Sequence, residues 1–60
     1  MDSKAIIQVL MEDGWQVVEV RGSHHQLKHP EKPGKVTVPH PCKDVTKKTF
    51  HSIMKQAGLK

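Results

Sequence analysis

The chain has 60 residues, with ten Lys and Arg against six Asp and Glu, a formal net charge of +4 and a pI of about 9.5. One domain, spanning 1–60, is all this length allows, and a domain of this size buries only about 60% of the surface its unfolded chain exposes. The single cysteine, Cys42, excludes an internal disulfide and fits a reducing compartment, while no apolar run approaches the roughly 20 residues of a membrane span.

In chain order, Ser3 is a suitable helix N-cap, and Ala5, Ile6, Val9 and Leu10 follow with helical spacing. A helix over about residues 4–12 is expected, ended by Gly14 in a left-handed conformation. Trp15 to Arg21 is rich in β-branched and aromatic residues and reads as a strand. Val17 and Val18 cannot both face inward without a bulge. Gly22 punctuates, and Ser23 to His29 reads as a second strand anchored by Leu27. The segment Pro30-Glu31-Lys32-Pro33-Gly34 is a loop, and Lys35 to Val38 is a third strand that Pro39 ends. After an extended connector, Thr46 can cap a last helix whose apolar residues Phe50, Ile53, Met54 and Ala57 form a one-sided stripe. Gly58 and Leu59 suit a Schellman ending.

The expected fold class is therefore α+β, in the order α-β-β-β-α, with a three-stranded antiparallel sheet. Two amphipathic helices must share one apolar surface, so both are expected on one face of the sheet. The expected core is Ile6, Leu10, Leu27, Val36, Val38, Phe50, Ile53 and Met54. The other face is left open to solvent.

Five histidines are present, three of them within Ser23-His24-His25-Gln26-Leu27-Lys28-His29. Side chains alternate along a strand. With Leu27 inward, Ser23, His25 and His29 share its side, and His24, Gln26 and Lys28 point to the open face, joined by Thr37 from the third strand. If Arg21-Gly22 is the turn, Glu19 lies opposite His24, where a carboxylate would favour imidazolium. Lys28 then is the nearest cation on that face.

These are groups that RNA cleavage needs. Attack by a ribose 2′-OH on the adjacent phosphorus requires a base, an acid and cations for the developing charge. Histidine, with a reference pKa of about 6.5, serves either proton-transfer role near neutrality. No second group stands out as the complementary acid. By parity alone His24 also reads as an exposed polar residue on a solvated sheet, the commoner fate of a surface histidine. The basic charge draws polyanions, and Trp15 and Phe50 as sole aromatics exclude a surface that stacks successive bases.

A metal site is not expected. His25 and His29 share a face but stand about 13 Å apart along a strand, too far for ligands at about 2 Å from one ion. His40 and Cys42 in the Pro-rich connector supply only two ligands, and Cys42 reads as a half-buried small residue. A Ser23-His24 nucleophilic pair is excluded because the two point to opposite faces. Met1-Asp2-Ser3-Lys4 leads straight into the helical pattern without the run of a signal peptide. A soluble, cytoplasmic protein is expected.

Asp13-Gly14-Trp15, Arg21-Gly22-Ser23-His24-His25, His29-Pro30, Val36-Thr37-Val38-Pro39-His40-Pro41 and Ser52-Ile53-Met54-Lys55-Gln56-Ala57-Gly58-Leu59 resemble the HicA toxin family, also called YcfA-like. The resemblance runs from about residue 3 to residue 60. It implies a double-stranded-RNA-binding-domain-like fold, and an mRNA interferase of a type II toxin–antitoxin pair that is neutralised by a HicB-type antitoxin. Carried over by position, the family's essential histidine matches His24, and Gly22 matches its turn glycine. Thr46-Lys47-Lys48-Thr49 departs from the more usual Pro-Lys-Gly-Thr, and His51 stands where Arg is common. Both departures touch the last helix and leave His24 intact.

The expected function is thus a metal-independent endoribonuclease, without cofactor, that cleaves mRNA with His24 as general acid or base. Arg21, Gly22, Ser23, Gln26, Lys28 and Thr37 are candidate RNA-binding residues. A non-catalytic RNA-binding module of the same fold is the alternative from another class.

Overall fold

A computed structural model describes residues 2–59; Met1 and Lys60 lie outside the described residues. The elements are α1 (Ser3–Glu12), β1 (Gln16–Arg21), β2 (His24–Lys28), β3 (Lys35–Pro39) and α2 (Lys47–Gln56). The sheet is antiparallel in the order β1-β2-β3. The expected α-β-β-β-α order holds, and both helices pack against β3. Among the described residues no helix is long and apolar enough to cross a membrane.

The cap of α1 falls one residue earlier than expected. Asp2 is the N-cap, its carboxylate accepting from the Lys4 N–H at 2.8 Å. Ser3 is instead fully buried, because its hydroxyl serves the tertiary structure: it accepts from the Cys42 N–H at 2.9 Å and meets His40 Nδ1 at 2.7 Å. The Ser3 N–H in turn donates to the Cys42 carbonyl at 2.8 Å. The connector after β3 is thereby tied to the start of α1.

Both helices end in the same way. In α2, Gly58 adopts φ +70°, its N–H donates to the Lys55 carbonyl, and the Leu59 N–H reaches back to Met54. In α1, Gly14 adopts φ +107°, its N–H donates to Met11, and the Trp15 N–H to Leu10. These are Schellman endings, in which a residue without Cβ occupies the left-handed position and free helix carbonyls find donors. Gly14 has a second constraint, since a Cβ there would lie 2.6 Å from His29 Nε2.

The buried core is Ile6, Leu10, Trp15, Leu27, Val36, Val38, Val45, Ile53, Met54 and Ala57. Phe50, expected inside, is half-buried against this cluster and meets His51 edge-on. Trp15, expected to begin a strand, precedes β1 and is 1% exposed. Its indole N–H donates to the Asp13 carboxylate at 3.2 Å, and its ring meets His29 edge-on.

Asp13 gathers the two helix ends. Lys32, from the β2–β3 loop, places its ammonium 2.6 Å from the Asp13 carboxylate and 3.0 Å from the Ala57 carbonyl. His29 Nδ1 accepts the N–H groups of Glu31 and Lys32, so Nε2 carries the ring proton and donates to the Asp13 carbonyl at 2.8 Å. The loop is thus fastened to the ends of both helices. The Lys32 hydrogen bond holds the Asp13 carboxyl below the usual aspartate value; the positive charge of Lys32 and the Trp15 N–H act in the same sense, against partial loss of water.

Two outcomes are expected. In urea melts Phe50→Ala should cost less than the about 3–5 kcal/mol of a fully buried phenylalanine, and Ile53→Ala about 2–5 kcal/mol; a Phe50→Ala loss above that range would contradict its half-burial. A carboxyl whose folded pKa is depressed stabilises above its unfolded pKa, and the effect is lost as pH falls through the lower folded value. Lys32→Met should therefore destabilise more near neutrality than in strong acid, and an equal loss at both would rule out the Asp13 clasp.

Candidate active site

The uncovered face of the sheet is arranged by the β1–β2 hairpin. Its two turn residues are Gly22 and Ser23, with Gly22 at φ +54°, a conformation that favours glycine. This differs by one residue from the Arg21-Gly22 turn expected from sequence, and it changes every neighbour. Arg21 stands directly opposite His24, and Val20 opposite His25. Glu19 faces Gln26 and not His24. The expected bulge is present between Val17 and Glu19, where Val18 is the additional residue. It puts Val17 opposite Leu27 on the helix side while keeping Glu19 and Arg21 on the open side.

The open face therefore carries three cross-strand rows. The first is Arg21, His24 and Pro39; the second is Glu19, Gln26 and Thr37; the third is Gln16, Lys28 and Lys35. His24 is exposed at the start of β2. Arg21 is the cation beside it, and the Arg21 Nε donates to the Glu19 carboxylate at 2.8 Å. With side chains 78% and 46% exposed, this pair contributes little to stability. It does hold the guanidinium along the strand, on the face that His24 shares. Lys28, expected to be the nearest cation, stands four residues from His24, about 13 Å along β2.

The other candidates take distinct places. The Thr37 hydroxyl donates to Gln26 Oε1 at 2.7 Å, which leaves the amide NH2 of Gln26 free to donate outward. Ser23 lies in the turn and offers its carbonyl to the His40 N–H at 2.7 Å, extending the hairpin toward the connector. Gly22 has open space around its Cα. Arg21, Gln26, Lys28 and Thr37 thus lie on the face of His24, whereas Gly22 and Ser23 shape the turn that presents it. Lys35, which sequence reasoning left out, joins the same face; its parity with Thr37 was the available signal.

His25, His29 and His40 are structural in their contacts. His25, on the helix side, is half-buried with its ring 4.7 Å from that of His40 and nearly perpendicular to it. His25 Nδ1 is buried without a hydrogen-bond partner among the described residues. His40 is held by Ser3, and His29 by the Asp13 carbonyl and the loop. Among the described residues no three His, Cys, Asp or Glu side chains stand close enough to hold one metal ion. Cys42 is half-buried against the core, as expected.

Comparison with known proteins gives a consistent result. A sequence profile described as the HicA toxin of bacterial toxin-antitoxin matches residues 3–59. Among solved structures, a toxin–antitoxin complex from Streptococcus pneumoniae contains a chain similar at 30% identity and a TM-score of 0.83, with 98% of each chain covered. A HicA3 and HicB3 toxin–antitoxin complex contains one at 31% identity and a TM-score of 0.80, covering 100% of this chain and 97% of that one. No curated protein matches the chain.

The two adjacent histidines should separate in their effects on folding. His24→Ala removes an exposed side chain and should leave the melting temperature nearly unchanged, whereas His25→Ala opens space beside His40 and should lower it. Equal melting temperatures for the two variants would contradict the facing assigned to them.

Proposed function

The chain belongs to the HicA toxin family of toxin–antitoxin systems, and from that premise we propose that it is an endoribonuclease, an mRNA interferase whose reaction centres on His24. The observation that carries this is the first row of the open face, where an exposed histidine has an arginine directly opposite it in the hairpin register. His24 is placed to take the proton of a ribose 2′-OH or to give one to the leaving 5′-oxygen. Arg21 supplies fixed positive charge where a phosphorane would develop negative charge, with Glu19 orienting the guanidinium. Gln26, Thr37 and Lys28 extend the contact with the strand, and Gly22 and Ser23 present His24 at the end of the hairpin.

The same features support translation arrest by mRNA cleavage, carried out by one domain spanning 1–60 in the cytoplasm. They also suit neutralisation by a HicB-type antitoxin. The solved relatives are toxin–antitoxin complexes, and an acidic surface laid on the basic open face would cover His24 and Arg21 together. No resident metal or cofactor is part of this chemistry.

His24→Ala should abolish cleavage of RNA and growth arrest on induction while the protein stays folded. RNA carrying 2′-O-methyl groups should resist cutting because its nucleophile is blocked, and cleavage by the wild type should persist in excess chelator. Full activity of purified His24→Ala, or equal cutting of methylated RNA, would overturn the mechanism. Binding of RNA without any cleavage would identify a binding module of the same fold.

A further inference from the structure

Lys28 and Lys35 are exposed and stand directly opposite each other in the β2–β3 register. Like charges so placed disfavour the strand pairing. Their row contains only Gln16 besides, and neither lysine has a carboxylate partner among the described residues. The one carboxylate of the face, Glu19, is engaged by Arg21. Two cations held side by side without a counter-ion form a site of unsatisfied positive charge, and its complement is an anion.

The placement of this pair relative to His24 specifies the anion further. The rows of the open face recur every second residue along β2, about 6.7 Å apart, which is close to the interval between successive phosphates of an extended polynucleotide strand. A strand whose scissile phosphate lies at the His24–Arg21 row would set its next phosphate over the Gln26–Thr37 row. The one after that would reach Lys28 and Lys35. The middle row offers the Gln26 amide as a neutral donor, its Glu19 carboxylate being held by Arg21, and the outer rows offer cations. The face carries no phenylalanine, tyrosine or tryptophan, since Trp15 is buried beside α1 and Phe50 lies on α2. A ligand here is gripped through its backbone and not by base stacking.

We infer that Lys28 and Lys35 form a second phosphate subsite, about two nucleotides from the reacting bond, so that single-stranded RNA lies extended along β2. The inference rests on the RNA-directed reading of the open face. It adds that the substrate must exceed a minimum length on one side of the cut, and that the third row measures it.

The test uses single-stranded oligoribonucleotides of graded length, 2′-O-methylated throughout. Their binding to the wild-type chain, to Lys28→Ala with Lys35→Ala, and to the corresponding double Arg variant is measured by fluorescence anisotropy at several salt concentrations. For the wild type, affinity should rise in a step of roughly tenfold, the scale of a charge-assisted phosphate contact, once the oligonucleotide can span from the first row to the third. The double Ala variant should lose that step, and its salt dependence should be shallower by about 0.7 per lysine removed. The double Arg variant should restore both, which separates charge from any effect on folding.

A length step unchanged in the double Ala variant would overturn the inference. So would a weakening of the same size at every length, which indicates general attraction only. Unaltered RNA binding with lost affinity for an acidic antitoxin would assign the lysines to the protein partner instead. Failure of the cleavage proposal is read separately, from unmodified RNA with the wild type, because the length step requires no turnover.

Discussion

The two-residue turn at Gly22-Ser23 decides which side chains meet across the sheet. A hairpin fixes its register at the turn, and a shift of one residue moves every cross-strand neighbour. With the left-handed position at Gly22, Arg21 comes to stand beside His24, and Glu19 moves along to face Gln26. The bulge at Val18 then absorbs the additional residue, so that Val17 lies opposite Leu27 while the polar side of β1 stays turned to solvent. The candidate centre, its cation and the carboxylate that orients that cation all follow from this register. The third strand extends the same rows through Thr37 and Lys35.

The rest of the molecule keeps that hairpin in place with a small core. Only a few large side chains are fully buried, and polar ties supplement them. Lys32 joins Asp13 at the end of α1 to the Ala57 carbonyl at the end of α2, and Ser3 binds the connector through Cys42 and His40. All of these ties lie away from the open face. In β2 and β3 the side facing the helices is committed to the core through Leu27, Val36 and Val38, and the open side retains exposed and charged groups that the fold does not require.

Histidine shows this division within one residue type. His29 and His40 are fastened by hydrogen bonds to other segments, and His25 is wedged against His40 with an unpartnered ring nitrogen. His24 alone of the three in β2 and its border is exposed on the uncovered face. Strand alternation separates His24 from His25 at the level of sequence. No pattern in sequence announces that His29 spans to Asp13, because that contact joins segments sixteen residues apart.

The sequence by itself determined the order of elements, the one-sided packing of the helices, the need for a bulge near Val18, the ending of α2 at Gly58 and the facing of His24. Each is set by a local period, a turn glycine or a cap, whose physics acts within a few residues. The family resemblance added the toxin class to that frame. Tertiary structure decided the register at Gly22, the choice of Arg21 over Lys28 beside His24, the burial of Trp15, the half-exposure of Phe50 and the tertiary use of the Ser3 hydroxyl. These depend on which of several permitted turns and rotamers lets distant segments close together. That competition is settled by packing and hydrogen bonding across the whole chain, so no local signal records its result.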